Sequence, residues 1–401
     1  MTTTPNQLRI AFFTETFVPK IDGIVRTTCR LLDYLRSKGI EAMVFTAGEH
    51  PERYAGFPVV SLSGQAAASP NYPERVVGRS AYKRLEAFQP TLIHAINPVF
   101  AGLQGMRFAR QLQTPLVASF QNHIAEQLPF YGLGLLEQPL WAAQRFVYNR
   151  ADYRLAPSVG MIEAMHEHGF KSATRWGQGV DINTFSPRFA DPEIRAQLSN
   201  GQPDKVLLLS VGRLGAEKQM ERLASVLDTV PNSHLVIVGD GPHRANLENA
   251  FSGRSVTFTG YLTDEALSKA YASCDMFIFP TSKMETFGLV ALEAMAAGLA
   301  IVSSRVGDVS ELVIHGHNGY TFDPDDSAQM IAYVRELIEN PEARRAMARA
   351  ARETAEQRSW DTVMGELLQN YCTMVDQYRA PQINRLTNRL VMRAFQPQPD
   401  R

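Results

Sequence analysis

Apolar residues follow two patterns along this chain. Short, nearly continuous apolar runs of strand length alternate with stretches in which apolar residues recur every three or four positions. The runs Arg9–Thr16, Glu41–Ala47, Thr91–Asn97, Leu116–Asn122 and Tyr153–Ser158 predict strands buried on both faces. Between them, Val25–Lys38 predicts a helix with Leu31, Leu32 and Leu35 on one side and Gly39 past its end, and Phe100–Leu112 predicts another. The pattern pauses at Phe185–Lys205, whose Pro, Asp and Asn content predicts a linker, and then restarts. Strands are expected at Val206–Leu214, His234–Pro242, Val256–Leu262, Met276–Pro280 and Ala300–Ser304, and helices at Gly288–Ala297, Ser327–Glu339 and Glu342–Arg358. Such repetition makes parallel sheets covered on both faces. The expected fold class is therefore α/β, with two doubly wound, Rossmann-like domains in series. Their bounds are expected at 1–187 and 188–377, with a basic amphipathic tail at 378–401 and a last helix able to cross back to the first domain. Open parallel sheets bind ligands beyond the carboxyl ends of their strands, so two of them predict a cleft.

Composition adds little to this picture and charge adds more. The 401 residues are 45% hydrophobic and 20% charged, ordinary for a globular chain, and a net charge of −1 excludes a general attraction to nucleic acid. Up to Pro187 there are 18 basic against 14 acidic residues; after it, 22 against 27. Tyr378–Arg401 carries five Arg and one Asp. This asymmetry suits orientation on an anionic surface, or is plain solvated charge. Cys29, Cys274 and Cys372 are few, odd in number and far apart, which predicts neither disulfides nor a zinc site and fits a reduced, cytoplasmic setting. The opening MTTTPNQL lacks the features of a secretion signal, and no run approaches eighteen apolar residues.

Candidate chemistry gathers at strand exits. In METFGLVALEAM, Glu285 lies in the loop after a predicted strand and Glu293 two turns into the following helix. The amides of Phe287, Gly288 and Leu289 stand at that helix's N-terminus, where unpaired donors and the helix dipole suit a phosphate. Each glutamate can accept hydrogen bonds from a vicinal diol, one on a sugar and one on a ribose; equally, the pair can be ordinary helix charges. Arg213 and Lys218, in VGRLGAEK, follow another strand and could neutralise a diphosphate. VGDGP is not a dinucleotide fingerprint, because Arg244 stands where the third glycine would be. In the first half, Gly23 lies in the loop after the first strand, and His123 follows a strand exit. Asp323 and Asp325 in FDPDD mimic a metal-ligating pair, but their place before a helix favours capping, and no metal site is expected.

Taken together, VGRL with EK, VGDGP, ETFGLVALEAMAAG, NGYTFDPDD and the early PKIDGIVR loop resemble, in order, the retaining family 4 glycosyltransferases of the GT-B fold. FFTETFVPKIDGIVRT, YGLGLLEQPLW, WGQGVDINTFSP and GRLGAEKQMERL are similar to the sulfoquinovosyl-diacylglycerol synthases within that group, part of a pattern shared with lipid mannosyl- and glucosyltransferases. The resemblance implies that Arg213 and Lys218 hold the donor diphosphate and stabilise the leaving nucleotide. It implies that Glu285 meets the donor sugar, that the Phe287–Leu289 amides touch sugar and phosphate, and that Glu293 binds the ribose. Gly23 would let its loop approach the phosphate, and His123 would lie at the reacting face. His123, Arg213, Lys218 and Glu285 are the implied catalytic group. Gln219, where many members have glycine, and Asn122 and Ile124 around His123 depart from the broad pattern.

The resemblance implies front-face transfer with retention, no cofactor, and a nucleotide-sugar substrate of UDP type. The favoured reaction is UDP-sulfoquinovose to diacylglycerol; the alternatives are a GDP-mannose- or UDP-glucose-dependent α-glycosyltransferase, a nucleotide-sugar epimerase or sugar phosphorylase of the same fold, and a nucleotide-sugar binding protein without catalysis. Lys20 and Arg26 are candidate sulfonate or acceptor contacts, with Arg175 behind them. A lipid acceptor places the enzyme in the cytoplasm, peripheral on the inner face of the cell membrane. Two segments could reach that anionic surface. Gln382–Phe395 has Ile383, Leu386, Leu390 and Ala394 along one stripe beside Arg385, Arg389 and Arg393, and Tyr131–Trp141 could form an apolar acceptor rim.

Overall fold

The computed structural model describes residues 2–20, 22–62, 77–121, 125, 128, 133–282, 288–307 and 309–394; for 77–79, 264 and 381–394 the backbone alone is described. The chain divides into two compact units, Met1–Gly177 with Met364–Arg401, and Gln178–Val363. The sequence pattern places these bounds at 187 and 377.

The first unit holds β1 (Arg9–Thr14), β2 (Glu41–Thr46), β3 (Arg53–Tyr54), β4 (Phe57–Ser61), β5 (Leu92–Ile96), β6 (Leu116–Ser119), β7 (Tyr153–Ala156) and β8 (Thr174–Arg175). They form one sheet ordered β3-β4-β2-β1-β5-β6-β7-β8, parallel except where β3 turns back on β4. Neighbouring residues of β1 feed opposite faces. Phe13 stacks on Phe45 and meets Phe108 of the helix Phe100–Leu112, while Phe12 lies beside His94 on the other side. That second face is closed by the helix Trp360–Ala394, whose fully buried Tyr371 hydroxyl lies 2.7 Å from His94 Nδ1.

The second unit holds β9 (Val206–Val211), β10 (Ser233–Val238), β11 (Val256–Gly260), β12 (Met276–Phe279), β13 (Ala300–Ser304) and β14 (Gly319–Phe322), all parallel, in the order β11-β10-β9-β12-β13-β14. The helix Leu289–Ala296 packs on one face, with Ala291, Leu292, Ala294, Met295 and Ala296 fully buried among Leu207, Leu209 and Phe277. A helix buried almost all round must be apolar almost all round, which explains why the stretch between Glu285 and Glu293 carries so few polar residues. Met330, Val334 and Leu337 cover the opposite face.

Phe185–Lys205, expected as a linker, is instead an ordered part of the second unit. Asp191 caps the helix Pro192–Leu198 through the amides of Glu193 and Ile194. Arg195 donates to the carbonyls of Pro203, Ser273 and Lys205 and to Asp275 Oδ2 at 2.8 Å, and that oxygen also accepts the Leu207 amide of β9. The polar residues that suggested a linker serve instead as partners for backbone groups. Arg195→Ala is expected to cost about 2 kcal/mol, because several acceptors lose their donor at a mostly shielded site. A urea midpoint for the second unit equal to wild type would show the segment to be dispensable.

Candidate functional site

Strand order places a switch point in each sheet. In the second unit the chain runs outward from β9 through β10 to β11, then returns to build β12, β13 and β14 on the other side. The exits of β9 and β12 are therefore neighbours from which connections depart in opposite directions, the position where open parallel sheets accept ligands.

The β9 exit carries Arg213 and Lys218. After Leu214 the chain makes a short 3-10 turn, Ala216–Lys218, ended by Gln219 in the left-handed region at φ 49°. Arg213 Nη2 donates to Glu217 Oε1 at 2.6 Å, and the arginine side chain is 63% exposed. The Glu217 carbonyl accepts the Ser282 amide at 3.1 Å, so the β9 turn is tied directly to the β12 exit. Lys218 Nζ sits 5.6 Å from the centre of the buried Phe279 ring at the end of β12, within cation–π range. Both cations thus belong to one edge, as their spacing after a strand suggested.

The helix Leu289–Ala296 begins at this edge with Gly288 as its N-cap, at φ 70°. A Cβ there would meet Val309 Cγ2 at 2.5 Å, so glycine is required both by the backbone angle and by packing. Glu293 is half-buried on this helix, and its Oε2 accepts the Tyr271 hydroxyl at 2.9 Å. Tyr271 is fully buried, and burial pushes its phenol pKa well up, so it remains a neutral donor. Ser210, Thr281, Ser303 and Ser304 bring buried hydroxyls to β9, β12 and β13 that have no hydrogen-bond partner among the described residues. Buried hydroxyls without partners are uncommon, and these four gather at one edge of the sheet.

VGDGP closes the flank of this edge. Gly239 lies so near the Gly212 carbonyl that a Cβ would fall 1.9 Å from its oxygen, and the Leu214 amide reaches the Asp240 carbonyl at 3.0 Å. These glycines join strand exits to one another. Arg244 pairs with Asp240 and Glu248. Asp323 Oδ1 accepts the Asp325 amide, and Asp326 caps the helix Ser327–Glu339, so the FDPDD acids serve turn and cap.

In the first unit, the switch lies between β1 and β5. Gly23, expected in a loop, is instead the first residue of the helix Gly23–Ser37, because Asp22 caps the Val25 amide. A Cβ on Gly23 would meet nothing within 4 Å. Lys20 and Arg26 are exposed before and within this helix. Glu15, at the β1 exit, accepts the amides of Val99 and Gly102 and so anchors the helix Phe100–Leu112 across the switch. Trp141, expected in an apolar rim, is core instead: it is 1% exposed and stacks on Phe120. His123, Glu285 and Phe287 lie outside the described residues, as do the side chains of the Gln382–Ala394 stripe and the residue Phe395. Tyr271, Glu217 and Glu15 were not singled out from sequence. Only Glu217 carried a signal, four residues after Arg213 and next to Lys218.

Residues 21–184 match the family described as Glycosyltransferase Family 4, and residues 191–354 match Glycosyl transferases group 1. The chain is 35% identical to the sulfoquinovosyl transferase SQD2 of Arabidopsis thaliana, over 88% of this chain and 71% of that protein. It is 33% identical to a GDP-mannose-dependent alpha-mannosyltransferase of Mycolicibacterium smegmatis, over 91% of this chain and 97% of that one. Among solved structures, Anabaena HepE in complex with UDP superposes with a TM-score of 0.71 at 21% identity, covering 91% of this chain and all of that one. Among the described residues no helix is long and apolar enough to cross a membrane. With both halves of the chain matched, and relatives at a third identity aligned over about nine tenths of it, the chain belongs to the group 1, family 4 glycosyltransferases, GT-B enzymes that use a nucleotide-sugar donor and need no cofactor.

Proposed function

We propose that the protein is a retaining hexosyltransferase that moves sulfoquinovose from UDP-sulfoquinovose to diacylglycerol at the inner face of the cell membrane. One observation carries the donor half of this reading: Arg213, Lys218 and the Gly288 helix tip gather at the β9/β12 switch, beside buried hydroxyls that lack partners among the described residues. Cations opposite a helix N-terminus suit a diphosphate. The family resemblance assigns Glu285 to the sugar, Glu293 to the ribose, the Phe287–Leu289 amides to sugar and phosphate, and His123 and Gly23 to the reacting face and phosphate approach. The acceptor hydroxyl forms its bond to the anomeric carbon on the face from which the diphosphate leaves. The anomeric C–O bond breaks, and the departing phosphate oxygen takes the hydroxyl proton. No protein nucleophile enters, and catalysis is electrostatic. Sulfoquinovose is favoured by the extended likeness to a sulfoquinovosyl transferase, and diacylglycerol by the family resemblance, with Lys20 and Arg26 as contacts for the sulfonate.

A second reading, an α-mannosyltransferase using GDP-mannose, is favoured by the relative that aligns over 97% of its own length. Purified protein incubated with lipid extract and a panel of nucleotide sugars separates them. The expected product by mass spectrometry is sulfoquinovosyl diacylglycerol, with UDP and not GDP as competing ligand. A mannosylated product inhibited by GDP would replace the first reading with the second.

A further inference from the structure

The turn that leaves β9 reads RLGAEK from Arg213 to Lys218, so one acid, Glu217, stands among the two cations read as holding a diphosphate. A carboxylate and a phosphate ask for the same donors and repel each other. An acid at this place therefore works against the binding of the anion that the cations attract.

The acid is held where it stands. The Gly215 amide donates to the Arg213 carbonyl at 2.9 Å, the Lys218 amide to the Gly215 carbonyl at 3.0 Å, and the Ser282 amide to the Glu217 carbonyl at 3.1 Å. These bonds fix the turn against the β12 exit. The carboxylate folds back over Gly215, where a Cβ would fall on both of its oxygens. From that position Oε1 accepts Arg213 Nη2 at 2.6 Å, a short charge-assisted bond. The Glu217 side chain is 24% exposed and that of Arg213 is 63% exposed, so the acid is the anchored partner and the cation the one reaching into solvent. Neighbouring acids face other bases: Asp240 pairs with Arg244, and Glu221 lies 4.0 Å from His243. Among the described residues, Glu217 is the acid paired with Arg213.

Transfer of the sugar changes the charge at such a site. In a nucleotide sugar each phosphate carries one negative charge. Loss of the sugar turns the outer phosphate into a monoester, whose second proton leaves at a pKa of about 6. Cations alone would therefore hold the product harder than the donor. A fixed carboxylate opposes the added charge, so its repulsion falls more on the product. We propose that Glu217 is a built-in competitor for Arg213: its carboxylate reclaims the guanidinium as the diphosphate leaves, and its charge sets how tightly the nucleoside diphosphate product is held. Arg213 then has an anionic partner in the empty site and in the filled one. The proposal rests on the reading of this edge as the diphosphate site and adds to it a positioning residue whose charge favours release.

Glu217→Gln is the test, because it keeps an oxygen for Arg213 Nη2 and removes the charge. The measurement is calorimetric titration of the full-length protein with UDP and with GDP at low salt, the nucleotide that binds the wild type serving as probe. The variant is expected to bind it about fivefold more tightly, with the gain fading at about 0.5 M salt. The corresponding monophosphate should gain about twofold at most. Glu217→Ala, in which no side chain is left to compete, should show the same sign. Arg213→Ala should bind about tenfold more weakly, and adding Glu217→Gln to it should gain less than about twofold, because the shared donor is gone. A glutamate that only shapes the turn gives the opposite sign, since loosening Arg213 weakens binding. Equal or weaker binding by Glu217→Gln at an unchanged melting temperature overturns the proposal, as does a full gain in the Arg213→Ala background. Binding that Arg213→Ala weakens and Glu217→Gln does not strengthen sinks the competitor alone. A wild type that binds neither nucleotide, or binds one no better than Arg213→Ala does, sinks the diphosphate reading itself.

Discussion

Lys218→Ala is expected to lower kcat by two to three orders of magnitude, on the order of 10²–10³, while the KM for donor changes by about threefold or less. Lys218 ends the turn that leaves β9, and its ammonium reaches the last ring of β12. It therefore stands at the switch point, with the buried aromatic surface of Phe279 on one side, where a cation is less screened than in open solvent. On the proposed reading a bound diphosphate already carries charge, and some of the Lys218 attraction would be spent on binding. As the sugar–oxygen bond breaks, further charge collects on the leaving oxygen, and a fixed cation stabilises that increment without reorganising. Arg213 is placed differently. It is 63% exposed and already engaged by Glu217, so solvent and a carboxylate share its field. Arg213→Ala should cost nearer tenfold. Lys218→Arg keeps the charge but not the point geometry, and should recover part of the loss. Steady-state kinetics at varied donor concentration decide the matter: a KM that rises as far as kcat/KM falls would mean uniform binding and no role in the departure.

Which parts of this were legible in the sequence follows from what each signal measures. Apolar runs report burial, and ten of the fourteen described strands were found this way; Ala300–Ser304 was found to the residue. The runs at Arg9, Val206 and His234 were drawn past their observed ends at Thr14, Val211 and Val238, because glycines, threonines and apolar residues continue after the ladder stops. β4 and β14 escaped. Phe57–Ser61 is short and holds a proline, and Gly319–Phe322 sits in a stretch taken for a turn. The cations and the helix tip were visible because parallel sheets place ligands at strand exits, and an exit can be read from one local run. Tyr271 could not be seen this way. It lies 22 residues before Glu293, on another helix, and only tertiary packing brings its hydroxyl to that carboxylate. The glycines of VGDGP were visible as an exit but not in their use, since the closeness of Gly239 to the Gly212 carbonyl depends on the pairing of β9 with β10.

Glu293→Ala is expected to weaken UDP binding by about 10²-fold, and Tyr271→Phe by a smaller factor of about fivefold. Tyr271 donates to Glu293 Oε2 from a fully buried position, and its raised pKa keeps the proton on the phenol through the physiological range. The bond fixes the carboxylate on a helix that is itself held by fully buried Ala291, Leu292 and Met295. A carboxylate held in this way loses little freedom when it accepts hydroxyls from a ribose, and charged acceptors contribute about 1.5–3 kcal/mol per hydrogen bond against about 1 for neutral ones. Alanine removes those bonds; phenylalanine fills the same volume and removes only the orientation. Neither change should unfold the unit. Tyr271 Oη lies 3.2 Å from the Val290 carbonyl and retains an acceptor in Glu293→Ala, and phenylalanine at 271 leaves no cavity. Calorimetric titration with UDP and 2′-deoxy-UDP identifies the contact itself. Wild type should prefer UDP by about tenfold, and Glu293→Ala should lose that preference, a coupling that a merely structural glutamate does not produce. If both proteins discriminate between the two nucleotides to the same extent, the ribose is held elsewhere, and Glu293 serves the fold through Tyr271 alone.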